Sequence, residues 1–157
     1  MKKKLIYITI SVGICLVIGF LSSFATQSSV NDWYAALNKP NFNPPNWIFA
    51  PVWSVLYILM GIAAGIVWAK GFYHLWVKTA LYHFGFQLLL NALWSIVFFG
   101  LKEPLWALLI IIGLLIMLGF TFKWFKVVNK TAAYMLIPYI LWVSFAILLN
   151  YKIWELN

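Results

Sequence analysis

Acidic side chains are almost missing from this chain: Asp32, Glu103 and Glu155 are its whole complement. With no carboxylate pair, general acid–base work by Asp and Glu has no material. Cysteine is scarcer still. Cys15 stands alone inside an apolar run, which excludes an intrachain disulfide and any cysteine-based metal motif. His74 and His83 lie nine residues apart with no acidic or cysteine neighbour. They read as interfacial side chains rather than haem or metal ligands, and no metal site is expected. No nucleophile–base pair or phosphate loop is visible.

Charge of any kind is sparse. Only 9% of residues are charged against 65% hydrophobic, and the mean hydropathy is +0.94. That composition describes an all-α integral membrane protein, a single domain over residues 1–157 with no soluble appendage. Five apolar runs, at about residues 5–25, 47–69, 79–100, 104–123 and 131–152, each approach the ~20 residues that span a bilayer core. The first follows Met1-Lys2-Lys3-Lys4, as a signal peptide would. Its apolar stretch exceeds the ~7–15 residues of a signal, so it is counted as helix 1 of the mature protein.

The net charge of +8 comes from 11 lysines. They sit at the ends of apolar runs, so membrane topology explains them better than nucleic acid, and no nucleic-acid partner is expected. Lys2, Lys3, Lys4, Lys70, Lys78, Lys123, Lys126 and Lys130 fall on one side; Lys39, Lys102 and Lys152 fall on the other. The richer side should be cytoplasmic. The N-terminus is then inside, and the first loop and the C-terminus are extracytoplasmic.

That first loop is the anomaly of the chain. From Trp33 to Trp53 it packs three Trp, one Tyr, two Phe and four Pro into 21 residues. Proline-rich backbone cannot face lipid, where its carbonyls would have no partner. The segment must lie at the membrane surface or over the mouth of a helix bundle, and its stiff aromatic turns suit a lid over a flat apolar ligand. Lys39-Pro40 and Pro44-Pro45 disfavour helix before each proline, and Pro51 fits the first turn of helix 2. Later connections are short, which makes successive helices antiparallel neighbours.

Polar residues inside the spans mark candidate sites. On helix 3, Gln87, Asn91 and Ser95 recur at i, i+4 and i+8 with Trp94 beside them. Amides at membrane depth turn away from lipid, toward a neighbouring helix or a cavity. For Gln87 both readings stand open; Asn91 and Trp94 favour the cavity. On helix 5, Trp142 and Ala146 lie one turn apart, leaving space for something flat against the indole, and Pro138 bends the helix by freeing the carbonyl of Tyr134. Trp53 and Tyr57 make a similar pair on helix 2. Trp68, Trp76, Trp106, Trp124 and Trp154, with Tyr73, Tyr82 and Tyr151, read as interfacial belts. Gly61 and Gly65 have the small-residue spacing of close helix packing, at a dimer face or within the bundle. Helix 4 from Leu108 to Leu118 reads as a lipid-facing or dimer-facing wall.

The chain resembles the tryptophan-rich sensory protein family, also called translocator protein or peripheral benzodiazepine receptor, over nearly its whole length. The resemblance is carried by Trp33-Tyr34, Lys39-Pro40, Pro44-Pro45 and Pro51-Val52-Trp53. Gln87, Asn91, Trp94, Phe98-Phe99-Gly100 and Trp106-Ala107-Leu108 continue it. Helix 5 adds Pro138-Tyr139, Trp142, Phe145-Ala146 and Leu149-Asn150-Tyr151. The resemblance implies a five-helix bundle, usually a homodimer, that binds porphyrins and, in animal members, cholesterol and benzodiazepine-type compounds. It also implies that Trp53 and Trp142 line the ligand pocket and take part in porphyrin breakdown. Two departures argue against cholesterol. Ile110 stands where animal members have Asp in helix 4, and Leu149-Asn150-Tyr151 runs directly into Lys152 with Glu155 at the later basic position, which breaks the proposed sterol pattern.

The expected function is therefore tetrapyrrole binding, with protoporphyrin IX or haem as ligand and no required cofactor, in a bacterial cell membrane. Light-dependent oxidative degradation of the bound ring is the expected reaction; the alternative is a non-enzymatic carrier or stress sensor. Trp53 and Trp142 are the candidate catalytic residues. Tyr34, Pro44, Tyr57, Asn91, Trp94, Ser95 and Ala146 join them as candidate ligand contacts. Lys39 has two readings, a partner for a propionate or a solvated loop charge.

Overall fold

A computed structural model describes residues 2–157, and among them every regular element is helical. The long helices are α1 (Lys2–Gln27), α3 (Asn46–Trp68), α4 (Leu75–Ser95), α5 (Pro104–Val128) and α7 (Ile137–Leu156). Short helices α2 (Trp33–Ala36) and α6 (Lys130–Tyr134) precede α3 and α7, and α4 runs on into a π-helical turn at Ile96–Gly100. Five spans are long and apolar enough to cross a membrane: Lys2–Gln27, Asn46–Trp68, Leu75–Gly100, Pro104–Val128 and Lys130–Leu156.

The five-span expectation holds, with helices longer than the apolar runs. α4 begins at Leu75 and α5 continues to Val128, because a helix persists through the interfacial layer where hydropathy has already fallen. Local signals set several ends. Pro104 opens α5 where its missing N–H costs nothing. Asn129 caps α6, its Oδ1 accepting from the Ala132 amide at 2.9 Å. Pro138 interrupts the fifth span as expected: α6 stops at Tyr134, Met135 and Leu136 turn, and α7 resumes. Pro51 departs from expectation. Because α3 starts at Asn46, Pro51 lies in the second turn and leaves the Trp47 carbonyl without its helical donor.

Sequence neighbours are not always spatial neighbours. α1 lies along α3, which meets the next span, α4, at few points; α4 packs on α5, and α5 on α7. Gly61 and Gly65 explain the first pairing. A Cβ on Gly61 would stand 2.6 Å from the Cα of Val12, and one on Gly65 would collide with Ile8. The two glycines thus serve packing inside the bundle, bringing two backbones into contact. α5 is not only a wall either. Leu108, Ile111, Leu114 and Leu118 are buried in the core while Leu109, Ile112 and Ile116 face outward, the stripe of a two-sided helix.

Candidate functional site

At the loop end of the bundle, α3, α4 and α7 enclose an aromatic cluster centred on Trp53. Its ring centroid lies 5.8 Å from Tyr57, 6.2 Å from Trp94, 6.3 Å from Tyr139 and 6.5 Å from Trp142. Trp94 and Tyr57 are tilted to it by 35° and 33°, while Tyr139 and Trp142 present edges at 72° and 87°. Mixed faces and edges are the arrangement that ring quadrupoles favour, each pair contributing about 0.5–1.5 kcal/mol beyond burial. Phe49 extends the cluster against Trp142 at 6.1 Å, and Phe145 lies 5.6 Å from Trp142.

Beneath the rings runs a buried hydrogen-bond chain. Tyr57 donates to Asn91 Oδ1 at 3.1 Å; Asn91 Nδ2 donates to the Tyr139 hydroxyl at 2.6 Å; Tyr139 donates to Gln87 Oε1 at 2.8 Å. The chain ties α3, α4 and α7 together where an unpaired amide would be costly. Two donors stay without a protein partner: Gln87 Nε2 and Trp142 Nε1, both buried. Nearer the loop, the Trp94 indole donates to Asn150 Oδ1 at 2.9 Å, and Asn150 Nδ2 donates to the Pro104 carbonyl at 2.9 Å. That pair fixes the plane of Trp94 from behind.

The first loop forms the roof. Tyr34 is buried, 5.5 Å from Phe99 and 6.2 Å from Phe98, and Phe98 stacks near Trp94 at 5.7 Å. The π-helical turn presents both phenylalanines toward this roof, a use of such bulges that recurs at functional sites. Tyr34 donates to Asn43 Oδ1 at 3.1 Å and Asn43 Nδ2 donates to the Pro44 carbonyl at 3.2 Å, so Tyr34 and Pro44 are linked through one side chain. Burial pushes the Tyr34 hydroxyl above its ordinary pKa, and the bond to Asn43 offsets this in part. The loop is also tied to α7. The Asn38 amide donates to Asn157 Oδ1 at 3.1 Å, and Asn157 Nδ2 donates back to the Asn38 carbonyl at 2.9 Å.

The structure brings Trp53, Tyr57, Asn91, Trp94 and Trp142 into this cluster, with Ala146 buried one turn below Trp142. Ser95 turns elsewhere. Its hydroxyl donates to the Ser22 carbonyl at 3.2 Å and lies 3.2 Å from Thr26 Oγ1, so it is bonded to α1 and the stripe on α4 divides. Eight residues of a 3.6-residue helix rotate a side chain by about 80°, enough to reach a different neighbour. Lys39 is not merely a solvated loop charge. Its ammonium donates to the carbonyls of Tyr34, Leu37 and Ala35 at 2.9, 3.2 and 3.4 Å and sits 5.0 Å over the Tyr34 ring. It caps α2. Trp33 packs on Phe98 at 5.6 Å, whereas Trp47 is 74% exposed.

Sequence reasoning missed Tyr139 and Asn150 as parts of the site. Both were visible as a stripe of α7, since Tyr139, Trp142, Ala146 and Asn150 recur at i, i+3, i+7 and i+11. Among the described residues no group of His, Cys, Asp and Glu is placed to hold a metal ion.

These features define a class: a multi-pass helical membrane protein with an aromatic site under a proline-rich loop. The family model described as TspO/MBR matches residues 11–155. The chain is 46% identical over 143 residues to a tryptophan-rich protein TspO of Archaeoglobus fulgidus, covering 90% of this chain and 91% of that one. It is 40% identical over 157 residues to a tryptophan-rich protein TspO of Chlorobaculum tepidum, with 100% and 99% covered. The translocator protein of Bos taurus is 38% identical over 144 residues, covering 88% and 83%. The chain belongs to the TspO/MBR family.

Proposed function

We propose that this protein binds a tetrapyrrole such as protoporphyrin IX under its first loop and promotes light-dependent oxidative degradation of the bound ring. Family membership supports a tetrapyrrole-related role in the membrane. The observation that carries the finer reading is Trp53, with Tyr57, Trp94, Tyr139 and Trp142 all within 6.5 Å of its ring centroid. A porphyrin is a flat apolar disc with carboxylates at one edge. Trp53, Trp94 and Trp142 supply stacking faces, Ala146 supplies space below Trp142, and Tyr34 with Pro44 belongs to the roof. The unpartnered indole N–H of Trp142 offers a donor to an acceptor on the ligand.

The chemistry needs no acid–base pair. The pigment absorbs the photon, dioxygen is the oxidant, and the adjacent indoles of Trp53 and Trp142 relay electrons from the excited ring to dioxygen, so that the ring is oxidised and dioxygen reduced. In this reading the protein is a homodimer in a bacterial cell membrane, with the N-terminus cytoplasmic and the roof and C-terminus extracytoplasmic.

The test is illumination of purified protein with protoporphyrin IX in air, following loss of porphyrin fluorescence and growth of new absorption bands. Product formation that falls in Trp53→Phe and Trp142→Phe is the expected result. Saturable binding without product would replace the photochemical reading with that of a carrier or sensor.

A further inference from the structure

A cavity lies away from the roof. A cleft of about 330 Å³ opens between α1, α3 and α4 in the lysine-rich half of the bundle, lined by Cys15, Ala64, Trp68, Phe72 and Leu88 among others. Gly85 faces it, and a Cβ there would meet nothing within 4 Å. This glycine is therefore unlike Gly61 and Gly65, which are small because α1 runs against them. The α4 residues that line it, Leu81 to Leu88, span about 10 Å of helix, which fits inside one leaflet, about half of a bilayer that measures ~40 Å with its headgroups. The cleft thus lies within the leaflet on the lysine-rich side. Apolar space at that depth is filled by hydrocarbon, because a void forfeits the dispersion contacts of its lining.

Charge says which lipid. Lys78 stands at the mouth, its ammonium 5.6 Å over the Phe72 ring. Lys2, Lys3, Lys4 and Lys70 belong to the same end of the bundle, whereas Asp32, Glu103 and Glu155 all belong to the opposite end. An anionic headgroup meets only positive side chains there.

We propose that this cleft seats one acyl chain of an anionic phospholipid from the leaflet on the lysine-rich side, with the lipid phosphate paired to Lys78. The site is independent of the aromatic one and uses none of its residues.

The test is native mass spectrometry of the detergent-solubilised protein, titrated with phosphatidylglycerol or phosphatidylcholine of identical acyl chains. Phosphatidylglycerol is expected to saturate at one lipid per chain and to bind more tightly than phosphatidylcholine. Lys78→Gln should weaken phosphatidylglycerol about fivefold, to near the phosphatidylcholine level, and Gly85→Leu should weaken both lipids by filling the cleft. Lys78 is a half-buried surface cation, so its variant keeps the test decisive even if Gly85→Leu misfolds. Equal retention of the two lipids, or phosphatidylglycerol binding untouched by Lys78→Gln, would overturn the proposal. So would displacement of the lipid mole for mole by protoporphyrin IX or by a second copy of the chain, since the cleft would then belong to that occupant.

Discussion

Tyr139 both accepts from Asn91, at 2.6 Å, and donates to Gln87, at 2.8 Å, so its one hydroxyl joins two amides on the same face of α4. That junction holds α7 against α4 directly under the Trp53 ring. Tyr57 reaches the same network with a single bond to Asn91.

The two tyrosines should therefore differ when their hydroxyls are removed. Tyr139→Phe strips a partner from both Asn91 and Gln87, and buried amides left unpaired cost about 1–3 kcal/mol each. Tyr57→Phe leaves only the Asn91 Oδ1 unpaired, one such cost of about 1–3 kcal/mol in place of two. Thermal unfolding in detergent, followed by circular dichroism, should rank Tyr139→Phe as clearly less stable. Equal melting temperatures would mean that the chain does not couple the helices.

Gly61→Ala should cost about 1–3 kcal/mol, because its Cβ lies 2.6 Å from the Val12 backbone and α1 must shift to make room. Gly113→Ala meets nothing within 4 Å and should be neutral or stabilising by up to about 1 kcal/mol. The same melting experiment separates them. A neutral Gly61→Ala would contradict the tight α1–α3 seam.

Much of this architecture was legible from residues alone. Spans of ~20 apolar residues have few alternatives to crossing a membrane, and a proline-rich aromatic loop must lie at the membrane surface or over a bundle mouth. Trp53, Tyr57, Asn91, Trp94 and Trp142 could be named because polar and aromatic residues at membrane depth are exceptional. What was not legible depended on which helices touch. Ser95 has the same spacing as Gln87 and Asn91, yet it meets α1, because the end of α4 packs against the end of α1 at Ser22 and Thr26. Lys39 could read as a solvated charge because hydropathy cannot show that Tyr34, Ala35 and Leu37 turn their carbonyls to it.

Removing that cation should therefore loosen the loop without altering charge recognition. Lys39→Gln is expected to speed proteolysis of residues 28–45. It should shift the affinities for protoporphyrin IX and for its uncharged dimethyl ester by the same factor. A selective loss for the dicarboxylate would instead make Lys39 the propionate partner.

Tyr34 gives the roof a pH dependence. Its folded pKa is raised above the ordinary value of 10.0 by burial, so the neutral hydroxyl is favoured in the closed roof. The stabilisation is complete below pH 10.0 and is lost as pH rises through the folded value. Amide hydrogen exchange of residues 33–43, corrected for intrinsic rates, should show protection falling at alkaline pH in the native chain. In Tyr34→Phe the step should vanish. An identical alkaline step in the variant would assign it to another group.

The most direct measurement is a titration of protoporphyrin IX into purified native protein and Trp53→Leu, read by quenching of tryptophan fluorescence and by native mass spectrometry. The expected result is saturable one-to-one binding that weakens about tenfold or more in the variant, the effect of deleting a central aromatic anchor. Binding that never saturates, or an affinity unchanged by Trp53→Leu, would contradict a ring stacked on Trp53.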